Sequence, residues 1–265
     1  MAHWKEQAER HGTTVQATTR AQTAKVLEID ALIRAFRDTP LASRPEAHVL
    51  EVGCGNGLNC IALAREFPGF RFTGFDYVEE MIRMARESLV GSGCSDRVSF
   101  AVGDLLRLDE VEGLRKSYDA IVSVRCLINL NTVDLQRRAL TAMAARLVPG
   151  GTLIMVENSL HTFGMQNDCR EAVGLPRREP SPFNTFLDEE RVLSVAGLEQ
   201  VRVEDFSSLH DLVLYVLVPS TNGGEVDYGH PLVQAATNLS LRAPASRSAG
   251  FGSFGQNRLF VLRKR

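Results

Sequence analysis

Apolar positions along this chain fall into two alternating rhythms. Short β-branched and aliphatic runs at 48–53, 70–75 (FRFTGF), 97–102 (RVSFAV), 118–124 (YDAIVSV) and 152–157 (TLIMVE) predict strands. Helical spacing fills the stretches near 58–67, 78–90 and 133–147 between them. Alternation of this kind predicts a parallel, doubly wound α/β sheet, in which ligands sit beyond the carboxyl ends of the strands. Ahead of this core, residues 3–37 read as helical: Val26, Leu27, Ile29, Leu32, Ile33 and Phe36 recur at near-helical intervals, and Pro40 and Pro45 end the segment. Behind it, FLDEERVLSVAGLEQVRVEDF predicts a short helix capped by Asp188 and a sixth strand near 199–206, and RLFVLRK at 258–264 predicts a last strand. The expected organisation is an N-terminal helical lid at 1–45, a ligand-binding core at 46–206, an insertion or lid at 207–255 and a final core strand at 256–265. Within the insertion, PLVQAATNLS suggests a helix and APASRSAGFGSFG a mobile loop.

Composition narrows the partners. A chain of 265 residues buries one substantial core. Lys plus Arg number 30 against 32 Asp plus Glu, so no net positive field draws the protein to nucleic acid or anionic lipid. The five cysteines, Cys54, Cys60, Cys94, Cys126 and Cys169, form no C-x-x-C pair and no zinc spacing, which fits reduced thiols in a cytoplasm. No His/Asp/Glu cluster with ligand spacing follows strands four and five, so no metal is expected. No apolar leader opens the sequence, and its longest apolar stretch, LVLYVLV at 212–218, is far too short to span a bilayer. The expectation is a soluble cytoplasmic protein with a small-molecule substrate and neither a nucleic-acid nor a membrane partner, a homodimer being left open.

The chemistry concentrates in HVLEVGCGNGLNCIALA at 48–64, where a strand breaks into alternating glycines and resumes as a helix. Gly53, Gly55 and Gly57 allow positive φ and close approach of a ligand to the main chain, and the following helix opens with free N–H groups. A dinucleotide fingerprint is spaced G-x-G-x-x-G. Here the spacing is G-x-G-x-G behind Glu51, an acid that would repel a pyrophosphate and suit a cationic ligand group.

Three further stretches follow in order. FTGFDYVEEM places Asp76 just past the second strand, VSFAVGDLLRL places Asp104 and Leu105 after the third, and LVPGGTLIMVE at 147–157 forms the turn into the fifth. With EVGCGNG at 51–57, this arrangement resembles the class I S-adenosylmethionine-dependent methyltransferases, and is similar to bacterial members that modify small polar metabolites, sugars or natural products. The resemblance implies a doubly wound, seven-stranded, mostly parallel α/β sheet and S-adenosylmethionine as cofactor, with S-adenosylhomocysteine as product. It assigns to the cofactor Glu51, Gly53, Cys54, Gly55 and Gly57, then Asp76 (on both ribose hydroxyls), Tyr77 and Met81, then Asp104 and Leu105 (at the adenine), and Val124 and Arg125. Asp76 as a helix N-cap and Asp104 as a turn former stay open as alternatives.

On the acceptor side the chain departs from relatives that grip a base or amide nitrogen, since VRCLINLNT follows strand four where a DPPY or NPPY motif would stand. Arg125 and Asn129 occupy that place. After strand five come Glu157, Asn158 and His161; an imidazole titrates near neutrality, which makes His161 the candidate general base, with Glu157 to orient it and Arg125 beside the reacting groups. Arg170 and Asn184, with Arg177 and Arg178 nearby, are candidate acceptor contacts; Trp4, His11 and Tyr215 are candidate lid contacts, and His210 is a second-choice base. The expected reaction is in-line O-methylation of a small polar natural product or sugar-like metabolite. The alternatives are N-methylation of a small amine or amino acid, and a non-catalytic module that binds S-adenosylmethionine.

Overall fold

The central apolar runs become strands buried on both faces, while the run at 97–102 forms an edge strand with alternate residues exposed. In the computed structural model, which describes residues 2–243 and 252–265, two helices lead, α1 (Ala2–His11) and α2 (Gln22–Arg37). The core follows as β1 (Ala47–Val52), α3 (Leu58–Glu66), β2 (Phe70–Asp76), α4 (Glu79–Leu89), β3 (Val98–Val102), β4 (Tyr118–Val124), α5 (Val133–Arg146) and β5 (Leu147–Asn158). The chain continues through α6 (Leu160–Ala172), α7 (Glu189–Val192) and β6 (Leu198–Glu204). A helical stretch then combines α8 (Ser208–Leu212), a π-type segment (Val213–Leu217) and α9 (Val218–Thr221), before α10 (Pro231–Arg242) and β7 (Asn257–Lys264).

The strands form one sheet in the order β3-β2-β1-β4-β5-β7-β6. β1 to β5 run parallel, and β7 lies antiparallel between β5 and β6. This is the doubly wound, seven-stranded, mostly parallel sheet of the class I methyltransferase fold. Period-two alternation distributes each strand between two cores: Ile154 and Val156 of β5 and Val261 of β7 join α2, α3 and α4 on one face, while Leu153, Met155 and Phe260 join α5 on the other. The chain leaves β1 toward β2 and β3, then returns to place β4 on β1's other side, so the switch point lies between β1 and β4.

Local sequence sets several boundaries. Gly57, at φ +78°, opens α3, and a Cβ there would stand 2.5 Å from the Phe100 ring. Thr132 caps α5 by accepting from Leu135 N (3.2 Å), and Asp188 caps α7 by accepting from Arg191 N (3.2 Å).

Three expectations need correction or restriction. The helix foreseen over 3–37 is broken: Gly12 takes φ +55°, and Asn56 of the glycine turn donates its amide to the carbonyls of Gly12 (3.2 Å) and Thr14 (2.8 Å). Long-range bonds thus tie Gly12 and Thr14 to the glycine turn, which overrides the helical periodicity. After β5, a stretch for which no element was foreseen forms α6, with Ser159 accepting from Thr162 N (3.2 Å). The helix foreseen in PLVQAATNLS is α10, whereas most of the loop foreseen in APASRSAGFGSFG lies outside the described residues. No described helix is long and apolar enough to cross a membrane.

Candidate functional site

At the carboxyl ends of β1 to β4, beside the switch point, lies a cavity of about 560 Å³, within the usual range for small-molecule sites. Its floor is the glycine turn. Gly53 (φ +64°) and Gly55 (φ +52°) line it, and a Cβ would come within 2.5 Å of Cys126 Sγ at Gly53 and 2.9 Å of a Thr18 methyl at Gly55. Any side chain at either position would therefore fill the cradle. Asp76 closes the end of β2: Oδ2 accepts from Gly55 N and Oδ1 from Val78 N, both at 2.9 Å. Burial pushes this carboxyl above its usual range, opposed by those same backbone N–H groups. Each oxygen keeps a lone pair for a ligand hydroxyl.

The β3 side adds Val102, Gly103, Asp104 and Leu105. Asp104 also accepts from Leu106 N (2.9 Å), so its turn-forming role is real and does not remove it from the pocket. On the β4 side stand Val124, Arg125, Cys126, Asn129 and Leu130. Trp4 of α1 and Thr18 complete the wall from the N-terminal segment. The Trp4 indole donates to Asn129 Oδ1 (3.2 Å) and meets His3 and Phe183 edge-on, so three aromatic rings gather beside the mouth.

The anticipated cofactor residues divide. Gly53, Gly55, Asp76, Tyr77, Met81, Asp104, Leu105, Val124 and Arg125 line the cavity. Glu51, Cys54 and Gly57 do not. Glu51 is buried beneath the turn, accepting from Asn59 Nδ2 (2.7 Å) and Cys60 Sγ (2.9 Å), and so braces the loop from below.

The anticipated acceptor and catalytic residues scatter. Of these, Trp4, Arg125 and Asn129 reach the cavity. His161 sits exposed on the first turn of α6 and is not among the lining residues. His11 ends α1 outside the lining, and Asn158 and Asn184 are not among the lining residues. Arg170 is buried and bonds the carbonyls of Tyr215 and Pro176, a structural brace. Tyr215 is buried under the Arg178 guanidinium, 3.7 Å from its ring centre. His210 is fully buried, with Nε2 2.9 Å from Thr23 Oγ1 and Nδ1 2.7 Å from Asp211 Oδ1.

Glu157 is fully buried outside the lining, and its Oε1 accepts from Ser123 Oγ (2.6 Å), Leu127 N (3.1 Å) and Cys126 N (3.2 Å). It fixes the turn that carries Arg125. Burial raises its carboxyl to about 7. Thr18, Phe75, Val102, Gly103, Arg107, Cys126 and Leu130 line the cavity without having been singled out for it. Most follow a strand end and so had a positional signal; Thr18 had none. Among the described residues, no group of three or more His, Cys, Asp or Glu side chains is placed to hold a metal.

Two groups thus stand in series along the pocket: hydroxyl acceptors at Asp76 and a side-chain-free main chain at Gly53 and Gly55. They fit a nucleoside that carries an amino-acid tail. Residues 49–151, from β1 to the start of β5, match the family model described as a methyltransferase domain. The match covers less than half of the chain, and the sheet around it has the class I methyltransferase fold. Over 139 residues the chain is 25% identical to the ajmaline N-methyltransferase of Rauvolfia serpentina, a match covering 52% of this chain and 45% of that protein. The chain therefore spans less than half the length of this curated relative. Among solved structures, the N-methyltransferase NodS of Bradyrhizobium japonicum WM9, in complex with S-adenosylhomocysteine, superposes with TM-score 0.56 at 15% identity, covering 99% of this chain and 98% of that one. The [4+2]-cyclase SpnF superposes with TM-score 0.55 at 20% identity, covering 89% and 81%. These two likenesses establish the fold alone, and the cyclase is a reminder that fold does not fix the reaction.

Proposed function

We propose that the protein is an S-adenosylmethionine-dependent methyltransferase of a small molecule, and that the atom methylated is an amine nitrogen. One observation carries the choice of nitrogen: no histidine lines the cavity, and its two carboxylates, Asp76 and Asp104, are taken up by the nucleoside on this reading. Burial raises the Cys126 thiol and the Tyr77 phenol, so neither is ionised there, and Arg107 and Arg125 are cations. Asp76 already accepts two backbone bonds. The O-methylation expected from the sequence relied on His161 as base, and His161 lies on the exposed first turn of α6, while His210 is enclosed by Thr23 and Asp211. With both carboxylates on the nucleoside, a hydroxyl acceptor is left without a base among the lining residues. A neutral amine needs none before attack and releases its proton to solvent afterwards. The N-methyltransferase named among the curated relatives supports the same reading.

When bound, S-adenosylmethionine supplies a methyl group already activated on a sulfonium. What remains for the chain is orientation and exclusion of water. Asp76, Tyr77 and Asp104 hold the nucleoside end, Gly53 and Gly55 let the tail lie against the main chain, and Trp4 and Leu130 wall the acceptor side.

The test incubates the protein with methyl-labelled S-adenosylmethionine and host extract separated into low-mass, protein and nucleic-acid fractions. Label on a basic low-mass compound is expected. Label on a macromolecule overturns the small-molecule reading, label on a phenol or alcohol overturns the nitrogen, and binding of S-adenosylhomocysteine with no label in any fraction favours the non-catalytic module.

A further inference from the structure

A carboxylate lies in the buried stripe of α2, where periodicity calls for an apolar side chain. Glu28 is fully buried, between Leu27 and Ala31 of the core. Its oxygens stand 2.8 Å from Lys25 Nζ and 2.8 Å from Arg125 Nε, with Asn257 Nδ2 at 3.4 Å. Burial alone would raise its pKa, but the two cations hold it below the ordinary carboxylate value. A buried ion pair contributes little net stability compared with apolar packing. Geometry is the better account of its presence.

The geometry in question belongs to Arg125. Among the described residues it is the one non-glycine with positive φ (+52°), a strained backbone that persists only when its surroundings over-determine it. Its N–H donates to Val156 O (2.7 Å) and its carbonyl accepts from Asn129 Nδ2 (2.8 Å). The guanidinium is turned toward the N-terminal segment, with Nη1 donating to Thr18 O (2.9 Å) and Nε and Nη2 facing Glu28. Nε, though 2.8 Å from Glu28, makes no hydrogen bond, and Nη1 and Nη2 each keep one N–H unassigned while the side chain lines the pocket. The sheet order sets Asp104, Asp76, Gly53 and Arg125 in a row across β3, β2, β1 and β4. A nucleoside held at Asp104 and Asp76 therefore has its tail toward Arg125.

On the reading of the pocket as an S-adenosylmethionine site, we propose that Glu28 is a positioning residue: it aims Arg125 at the carboxylate of the cofactor's amino-acid tail and makes α2 part of the site. The same network continues from Lys25 Nζ to Asn59 Oδ1 (3.3 Å) and from Asn59 Nδ2 to Glu51 (2.7 Å), so one chain of polar contacts spans the β4 turn and the glycine turn.

Two ligands separate this role from a merely structural one: S-adenosylhomocysteine, which carries the tail, and 5′-methylthioadenosine, which lacks it. Calorimetric titration of the full chain should show Glu28→Gln and Arg125→Lys each weakening S-adenosylhomocysteine about tenfold or more, with methylthioadenosine unchanged. The double variant should be no weaker than Arg125→Lys alone. If Glu28→Gln does not fold, Glu28→Asp keeps the charge, shortens the reach and carries the same comparison. Equal loss of both ligands, or undiminished S-adenosylhomocysteine affinity, overturns the role of Glu28. Failure of the unaltered protein to bind either ligand overturns the cofactor reading instead.

Discussion

The two walls of the pocket are built by different means. On the β1 to β3 side, chain neighbours supply the site: glycines at 53 and 55 shape the turn, and Asp76 and Asp104 follow directly on β2 and β3. On the β4 side, the wall is assembled from a distance, Trp4 reaching Asn129 and Glu28 reaching Arg125 across roughly a third to a half of the chain. The first wall is specified by local motif and backbone; the second depends on tertiary contacts that the whole fold must bring together. Changes to the first should therefore act on cofactor affinity directly, and changes to the second on the aim of a few side chains.

The largest effect is expected where the local wall holds the ligand. Asp76→Ala should weaken S-adenosylhomocysteine by roughly 1–3 kcal/mol through lost charge-assisted hydrogen bonds, as read by calorimetry. The thermal transition serves as a control, because Asp76 also accepts from Gly55 and Val78. Unchanged affinity would erase the distinction between the walls.

That wall is also the part legible in the sequence. The strand ends, the glycine turn and its departure from dinucleotide spacing were all readable, because each places a backbone feature within a few residues of its motif. The distant wall was not. His161 follows a strand end and reads as a base, yet α6 begins at Leu160 and its first turn presents the imidazole to solvent. Glu157, assigned to orient it, instead turns under the sheet edge to hold the Arg125 turn. Thr18 became a pocket residue because Asn56 ties down the break after α1, a contact no periodicity encodes. The signal for Glu28 was present, an acid within an apolar helical stripe, but its partner Arg125 lies far along the chain.

A second effect, comparable in size, tests that hidden brace. Glu157 is raised by burial from 4.5 to about 7. The folded chain thus binds this proton more tightly than the unfolded chain, so the stabilisation is fully present below pH 4.5 and is lost as pH rises through about 7, by on the order of 3 kcal/mol. Glu157→Gln stays neutral, and its melting temperature should fall less than that of the unaltered protein between acid and mildly alkaline buffer. Asp205, also raised by burial to about 7, acts in the same direction and leaves a residual slope. Identical slopes in the two proteins would remove Glu157 from the account.

The smallest effect is expected at His161. Exposed and outside the lining, its replacement by Ala should leave S-adenosylhomocysteine affinity and methyl-transfer rate within about twofold of the unaltered protein. A loss of orders of magnitude would restore an oxygen acceptor with His161 as its base.

The most direct test of the central claim is a crystal structure of the protein with S-adenosylhomocysteine. The account predicts the ribose hydroxyls on Asp76, the base beside Asp104 and Leu105, and the amino-acid tail over Gly53 with its carboxylate on Arg125. A ligand bound elsewhere, or lying in the reverse direction along the sheet edge, would contradict it.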